Sequence, residues 1–235
     1  MDALRNVIWK ALSGSQAGIA VGSATARRYA PGFSAIMGFA DPEAPDFAAL
    51  EPHCTPGEAL YAVGWNGPAA AGWSIEASVP MQLMLYQSSG PAPVPAMAVQ
   101  PLQPRDIEPA MALAALTRPG PFGPRTPEMG EYLGIFAQGQ LVAMAGERMH
   151  VPGLREISGV CTHPAFQGRG YARALTAHLI ARQQARGERS FLHVAQDKPL
   201  ALALYQRMGF APLLPCTVRV VRYTGPGTPP PPPQV

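Results

Sequence analysis

The sequence predicts an α/β protein, and two observations in its second half support this prediction. Apolar runs of strand length alternate there with segments of helical periodicity, in the order β-α-β-β-β-α-β-α-β-β. One junction joins an apolar strand at 157–162, a glycine-rich turn at 167–172 and an amphipathic helix that runs to about Arg186. The first half has few helix-length periodic segments, and we expect it to be smaller and rich in short strands and loops.

Turn and cap residues set the elements of the second half. Asp106 is the candidate N-cap of a helix that ends near Leu116, and Gln138-Gly139 marks a hairpin. Asp197 is predicted to cap a helix that holds Pro199 in its first turn and ends at Met208. The predicted strands are 96–100, 132–137, 141–149, 156–162, 191–194, 210–214 and 217–221.

Proline divides the chain into three predicted parts. Three prolines within residues 91–95 exclude a helix or a central strand, so this stretch is predicted to be an extended connector. We therefore predict an N-terminal accessory domain at 1–95, with a helix at 2–12, and a second domain at 96–224. Residues 225–235 form a Pro-rich tail, for which solvated polyproline is the expected conformation.

Charge and cysteine content narrow the function classes. The net charge of +3, without a block of basic residues, argues against a nucleic-acid or membrane partner. Three widely spaced cysteines support neither a disulfide framework nor a zinc site, and we expect no metal. No signal-peptide pattern or bilayer-length apolar segment is visible, so we expect a cytoplasmic protein.

The glycine-rich turn is a predicted phosphate site. A turn between a strand and a helix presents free backbone N–H groups at the positive end of the helix dipole. The P-loop pattern fails because no Lys-Ser/Thr pair follows the glycines, and the dinucleotide fingerprint fails because Arg173 stands where a small residue is needed. A turn whose glycines merely relieve backbone strain is the alternative.

Two motifs carry a resemblance to a known family. Gln167-x-x-Gly170-x-Ala172 resembles the Q/R-x-x-G-x-G/A signature of the GNAT acetyltransferase superfamily, and residues 201–210 resemble its A-x-x-L-Y-x-x-x-G-F motif. The resemblance covers about residues 96–223. In segments 116–122 (LTRPGPF) and 156–164 (EISGVCTHP), the chain looks like a bacterial subgroup related to glycine N-acyltransferase.

The resemblance implies a fold and an activity. The fold would be a GNAT-like mixed, mostly antiparallel twisted sheet flanked by helices, preceded by the smaller β-rich N-terminal domain. The activity would be N-acetyl transfer from acetyl-CoA to a primary amine, by direct attack in a ternary complex. The acceptor would be a small-molecule or peptide amine, and the sequence leaves a homodimer open. Tandem family members carry a degenerate second copy of the fold; residues 15–20 faintly echo the turn, but without a following helix chance explains the echo better.

The resemblance assigns the turn to the pyrophosphate of acetyl-CoA and the end of the preceding strand to the pantetheine arm, which would pair with it like an added strand. Lys198 departs from the family, because many members have Asn there; its side chain either reaches a phosphate or faces solvent. The residues assigned to the cofactor are Val160, Cys161, Thr162, Gln167, Gly168, Arg169, Gly170, Tyr171, Ala172, Arg173 and Lys198.

The resemblance also names two catalytic residues. Tyr205 would donate a proton to the sulfur of CoA, and its alternative role is to pack its helix against the sheet. Glu156 would be the base, with an exposed strand carboxylate as the equally weighted alternative. The amide of Val160 or Cys161 would stabilise the oxyanion. Cys161 as a nucleophile would need an activating base, so a small residue lining the pantetheine path is preferred.

Two alternative functions would use the glycine turn without acetyl transfer. The chain could be a non-catalytic acyl-CoA-binding module that regulates a partner, or an acyltransferase that uses another acyl-CoA. The acceptor would lie between the second domain and the first half, near the loop at 117–127. The first half, for which we expect a packing or substrate-shaping role, holds no pattern that names the acceptor.

Overall fold

The computed structural model describes residues 4–88, 90 and 92–226, which fall into two units. The first unit comprises Met1–Pro31, Ala35–Met81 and Pro215–Val235, and the second comprises Gly32–Ser34 and Gln82–Leu214. Two strands, β5 (Trp73–Tyr86) and β11 (Phe210–Tyr223), each have residues in both units. The greater part of the predicted C-terminal tail, including its prolines at 229–233, lies outside the described residues.

The chain passes from the first unit to the second between Met81 and Gln82, whereas the sequence predicted a boundary at residue 95. The cause is packing, since Met84, Tyr86 and Ala92 belong to the core of the second unit. The side chain of Gln184 also accepts a hydrogen bond from the backbone N–H of Ala92 at 3.1 Å and donates one to the carbonyl of Gly90 at 3.1 Å. The proline-rich stretch is thus tied to the second unit instead of separating two domains.

The first unit is built on short strands around an aromatic core. Within it the strand order is β1-β2-β3-β4-β11, with β3 and β4 parallel and the other three pairs antiparallel. Phe47 stacks against Phe39, Trp65 and Trp73 at centroid distances of 4.9 to 5.2 Å, which gives the small core its aromatic burial. The elements are α1 (Val7–Ser13), β1 (Ala20–Gly22), β2 (Ala26–Tyr29), β3 (Ile36–Phe39) and β4 (Ala59–Val63).

The second unit is a mixed sheet with helices against it. Its strand order is β5-β10-β9-β8-β7-β6, in which β9 and β10 are parallel and the pairs from β9 to β6 are antiparallel. The elements are β6 (Gln100–Pro101), α2 (Ile107–Thr117), β7 (Tyr132–Ala137), β8 (Gln140–Val151), β9 (Leu154–Thr162), α3 (Tyr171–Ala185), β10 (Arg189–Ala195) and α4 (Pro199–Arg207).

The two faces of this sheet bury different helices. Leu175, Leu179 and Ile180 of α3 pack with Leu192 and Val194 of β10 in one core cluster. The second cluster joins Ala110, Leu113 and Ala114 of α2 to Met144 and Cys161. Since successive side chains of a strand point to opposite faces, the central strands β8 and β9 supply residues to both clusters.

Two irregularities open the sheet at β9. Between Cys161 and Ser158, β9 advances three residues while β8 advances two, which places a bulge at Gly159, whose φ is 63°. On the other side, the parallel pairing with β10 ends at Phe191 and Glu156, although both strands continue. The ends of β9 and β10 are therefore not paired with each other.

Most elements of the second half match the prediction from sequence. The helix with Asp106 as N-cap, the hairpin at Gln138-Gly139 and the helix after the glycine turn are confirmed. The strand predicted at 96–100 is wrong, because only Gln100 and Pro101 pair with β7. The predicted break between two closing strands is also wrong, since β11 is continuous through Pro215. The N-cap of α4 is Lys198 instead of Asp197, with Pro199 in the first turn.

Candidate active site

One cavity of the second unit brings the predicted cofactor residues together. Its volume is about 500 Å³, and its lining includes all eleven residues assigned to the cofactor as well as Tyr205. Glu156 is not part of the lining. The residues that prediction from sequence missed are Thr117, Phe166, Leu200, Ala201 and Leu204.

The glycine turn forms one wall of this cavity. Gly168 and Gly170 have φ angles of 77° and 80°, in the left-handed region that favours glycine. No described atom lies within 4 Å of a Cβ placed on either residue, so backbone conformation and not crowding calls for glycine here. Gly170 is the N-cap of α3, and its carbonyl accepts the N–H of Ala174 at 3.0 Å. The preceding N–H groups lack intrahelical acceptors and are suited to bind an anion.

Three cationic side chains line the cavity as well. The guanidinium of Arg169 lies 4.8 Å from the centre of the Phe166 ring, which holds it at the turn. Arg173 is exposed on the first turn of α3. Lys198 is 67% exposed and lies 3.9 Å from the Asp197 carboxylate, too solvated for a strong ion pair. The charge around the turn complements a phosphate group.

The end of β9 forms a second wall. Val160, Cys161 and Thr162 follow the bulge and line the cavity. A bulge leaves its extra residue outside the regular ladder, which frees backbone groups near Val160 for a ligand. These residues also lie beyond the last pair with β10, so no neighbouring strand covers that edge.

The Cys161 side chain is not an activated nucleophile. Burial raises the pKa of its thiol to about 11, although a hydrogen bond with the Thr117 hydroxyl opposes this. The thiol is therefore protonated at neutral pH, whereas a nucleophilic cysteine requires the thiolate. The preferred role from sequence, a small residue lining the cavity, agrees with this geometry.

Tyr205 of α4 reaches the cavity from the core. Its ring packs against Phe210 at 5.8 Å, and Phe210 packs against Tyr86 at 5.3 Å. Burial raises the pKa of the Tyr205 phenol to about 12, so the hydroxyl keeps its proton at neutral pH. A protonated phenol at the wall of the cavity can donate a hydrogen bond or a proton to a ligand atom.

Glu156 lies in a buried ion pair instead. Its carboxylate is fully buried and receives hydrogen bonds from Arg148 Nε at 2.9 Å and Arg148 Nη2 at 2.8 Å. Nδ1 of His193 lies 2.8 Å from Oε1 of the same carboxylate. Burial alone raises the pKa of Glu156, but Arg148 and His193 outweigh it and lower the pKa to about 2. The alternative of an exposed strand carboxylate is wrong, and a carboxylate held in this way is a weak base.

A loop after α2 approaches both the cavity and this ion pair. Thr117 lines the cavity at the end of α2, and Arg118 follows it with a φ of 50°. A Cβ on Gly120 would lie 3.8 Å from Nη1 of Arg148. The loop therefore runs from the cavity to the Arg148 side of the ion pair.

A three-residue segment, Gly32–Ser34, fixes the later part of this loop. The N–H of Arg125 donates to the carbonyl of Gly32 at 2.8 Å, and its guanidinium lies 4.1 Å from the Phe33 ring centre. The fully buried Thr126 hydroxyl accepts the N–H of Gly123 at 2.7 Å and donates to the carbonyl of Phe33. These contacts join residues that are about 90 positions apart, and no motif in the sequence predicts them.

The described residues contain neither a cluster of metal ligands nor a membrane-spanning helix. There, no group of three His, Cys, Asp or Glu side chains is arranged to hold a metal ion. Likewise, none of the helices in the described part of the chain has the length and apolar character needed to cross a bilayer.

Comparisons with known proteins agree with the fold and the motifs. The family model of FR47-like proteins matches residues 132–220. A putative GNAT-family acetyltransferase from Novosphingobium aromaticivorans has a crystal structure with a TM-score of 0.81 and 30% sequence identity, covering 94% of this chain and 98% of that one. The GCN5-related N-acetyltransferase from Kribbella flavida shares the fold, with a TM-score of 0.59, 19% identity and coverage of 94% and 96%.

A curated relative matches a shorter stretch. N-alpha-acetyltransferase RimI of Mycobacterium tuberculosis is 39% identical over 82 residues, which are 34% of this chain and 51% of RimI. The match therefore spans about half the length of RimI. Together with the full-length similarity to the Novosphingobium protein, these findings show that the chain belongs to the GNAT acetyltransferase family.

Proposed function

We propose that the chain is an acetyl-CoA-dependent N-acetyltransferase in which a primary amine attacks the thioester directly in a ternary complex. The observation that carries this proposal is the single cavity that gathers the glycine turn, the open end of β9 and Tyr205. Each of these three walls supplies one service that acetyl transfer requires.

The glycine turn would bind the pyrophosphate of CoA. The free N–H groups at the start of α3 are suited to its oxygens, and Arg169, Arg173 and Lys198 add positive charge. The pantetheine arm would lie along Val160–Thr162 and accept backbone hydrogen bonds there. The apolar side chains of Leu204 and Ala201 flank the same path.

The chemistry would then divide between β9 and α4. An amide near Val160, freed by the bulge, would stabilise the oxyanion that forms when the amine attacks the thioester carbonyl. When the carbon–sulfur bond breaks, Tyr205 would donate its proton to the CoA thiolate. We do not assign the base role to Glu156, because its carboxylate is bound by Arg148 and lies outside the cavity lining.

The acceptor is proposed only as an amine. By its name RimI is an N-alpha-acetyltransferase, but the match covers only half of RimI. The resemblance to glycine N-acyltransferase stays a prediction, as do the cytoplasmic location and a homodimer. A panel of free amino acids, short peptides with free N-termini and polyamines, with released CoA thiol as the readout, would identify the acceptor class.

Cofactor binding can be tested separately from turnover. CoA, acetyl-CoA and longer acyl-CoAs should raise the thermal unfolding midpoint, with about 2.7 kcal/mol of stabilisation at a hundredfold excess over Kd. Arg169→Gln should weaken this effect, whereas Arg105→Gln, a change at a second exposed arginine away from the cavity, should not. Absence of any shift with all CoA species would refute the proposal.

Turnover then separates an enzyme from a binding module. Tyr205→Phe should keep the CoA-induced stabilisation and lower kcat about a hundredfold, the usual contribution of a general acid. A wild-type protein that binds CoA but acetylates no amine of the panel would instead be a non-catalytic acyl-CoA-binding module.

A further inference from the structure

A side-chain bridge spans the point where β9 and β10 separate. The last backbone pair of these parallel strands joins Phe191 to Glu156. Two residues further along β10, Nδ1 of His193 lies 2.8 Å from the Glu156 carboxylate. The bridge thus lies where β9 and β10 separate. We call the unpaired strand ends beyond Glu156 and Phe191 the fork, and its β9 end lines the cavity.

The bridge and the cavity share a face of the sheet. Leu192, Val194 and Ile157 point into the α3 core, so the side chains of His193 and Glu156 point to the opposite face. Cys161, which packs against α2 on that face, also lines the cavity. An acceptor that reaches a thioester bound along β9 from this side would meet the fork.

The carboxylate fixes the tautomer of the imidazole. Arg148 engages both oxygens of Glu156, and the pKa of about 2 keeps the carboxyl group ionised. An ionised carboxylate only accepts hydrogen bonds, so the proton lies on Nδ1 of His193. The other ring nitrogen, Nε2, then carries the lone pair and is the basic atom of the pair.

We propose that His193 is the proton acceptor for the amine substrate and that Glu156 is a positioning residue that holds its imidazole. The proposal rests on the proposed function and replaces Glu156 in the base role that prediction from sequence gave it. It adds a catalytic residue that neither motif contains.

The step balances in protons and electrons. Nε2 takes one proton from the ammonium group of the acceptor and becomes part of an imidazolium, which Glu156 stabilises through Nδ1–H. The neutral amine nitrogen bonds to the thioester carbon, and the nitrogen of this intermediate then loses its second proton to solvent. Collapse of the intermediate breaks the carbon–sulfur bond and expels the CoA thiolate, which is protonated by Tyr205. The imidazolium and the phenolate return to their starting states by exchanging protons with solvent, so the reaction releases one proton overall.

The charged side chains near the His193 imidazole belong to the neighbouring strands β9 and β8. Glu156 on β9 contacts it directly, and Arg148 on β8 lies behind Glu156. On its own strand His193 packs edge-on to Phe191. Tyr132 on β7 interacts electrostatically with Arg148 and Glu156, and burial keeps the pKa of its phenol above the usual range, so it stays neutral. The anionic carboxylate is thus the nearest charge to the imidazole.

Two nucleophiles of different protonation state test the proposal. The assay measures kcat/KM at neutral pH with acetyl-CoA and either the best alkylamine of the panel, which is protonated, or hydroxylamine, which is not. His193→Gln should lower the rate with the alkylamine about a hundredfold or more and leave hydroxylamine within about twofold. Equal losses with both nucleophiles would indicate a structural role and overturn the proposal, and so would a variant with the wild-type rate.

Glu156 and a second histidine supply the controls. Glu156→Gln keeps an acceptor for Nδ1–H but removes the charge that faces the imidazole, so it should cost about tenfold with the alkylamine and leave hydroxylamine within about twofold. His53→Gln, in the first unit, should change neither rate. If Glu156→Gln abolishes activity while His193→Gln does not, Glu156 itself is the base.

A binding measurement keeps the two proposals apart. His193→Gln should retain the stabilisation by CoA, because the residue does not line the cavity. If wild-type protein uses neither nucleophile, the proposed function fails, and the assignment of His193 fails with it. If the protein turns over the alkylamine and His193→Gln does too, only the assignment fails.

Discussion

The buried Arg148–Glu156 pair predicts a loss of stability whose size depends on pH when the pair is broken. Arg148→Met keeps the length of the side chain near the sheet but removes the guanidinium that holds the fully buried carboxylate. Breaking a buried pair from one side leaves an uncompensated charge, which costs about 3–5 kcal/mol. We expect a loss of stability of this size at neutral pH.

The wild-type carboxylate sets the reference. Its pKa is about 2 in the folded protein against 4.5 as the ordinary value. A lowered folded-state pKa gives stability that is complete above pH 4.5 and is lost as the pH falls toward 2. The difference corresponds to about 3 kcal/mol, at about 1.4 kcal/mol for each pH unit.

The dependence of stability on pH reverses in the Arg148→Met variant. Without Arg148, burial dominates and raises the pKa of Glu156 above 4.5. The folded variant then binds a proton that the unfolded chain releases at the same pH. Its stability relative to wild type should therefore increase as the pH falls from 7 to 4.5.

Urea unfolding between pH 4 and pH 8 measures this difference. Arg105→Met, which removes an arginine that is 82% exposed, is the matched control and should follow the wild-type curve. In the double variant Arg148→Met/Glu156→Gln, which has no buried anion, most of the lost stability should return. A constant offset between Arg148→Met and wild type at every pH would refute the reasoning.

Three further predictions concern the frame around the site. Gly146→Ala should destabilise the protein by about 1–3 kcal/mol in thermal unfolding, because its Cβ would lie 2.3–2.4 Å from the Tyr132 ring. This cost should nearly vanish when Tyr132 is already alanine. Gly18→Ala is the control, because a Cβ there would meet open space. Thr126→Val should cost about 2–3 kcal/mol and raise KM for the amine, since it leaves the buried Phe33 carbonyl and the partly buried Gly123 N–H unpaired, whereas Thr126→Ser should keep both bonds. Gly170→Ala should cost about 1 kcal/mol through its φ of 80° and weaken CoA binding measured by calorimetry, and unchanged affinity would contradict a role for the turn.

The glycine-turn wall of the cavity was predictable because its chemistry is local. A turn that offers N–H groups to an anion needs glycines and a helix start in direct succession, and a contiguous stretch of sequence displays both. The structure accordingly places every predicted member from Gln167 to Arg173 in one cavity. Tyr205 was predicted in another way, from the resemblance of residues 201–210 to the family motif.

The rest of the site depends on register, which the sequence does not display. Arg148, Glu156 and His193 stand on three strands, and only the pairing of β8, β9 and β10 brings them together. Thr126 needs Phe33, 93 residues away, to form its hydrogen bond. Local reasoning also failed at Pro215, where proline was expected to end a strand that continues.

The fork explains why one arrangement can combine an open ligand edge with a fixed base. Parallel strands that separate expose backbone groups to a ligand, but the exposed ends would otherwise be free to shift relative to each other. The bond between Glu156 and His193 ties the two strands at the last paired position, and Arg148 extends this tie to β8. Loss of His193 should therefore affect proton transfer most, whereas loss of Arg148 should affect the stability of the fork, and comparing the two variants separates chemistry from support.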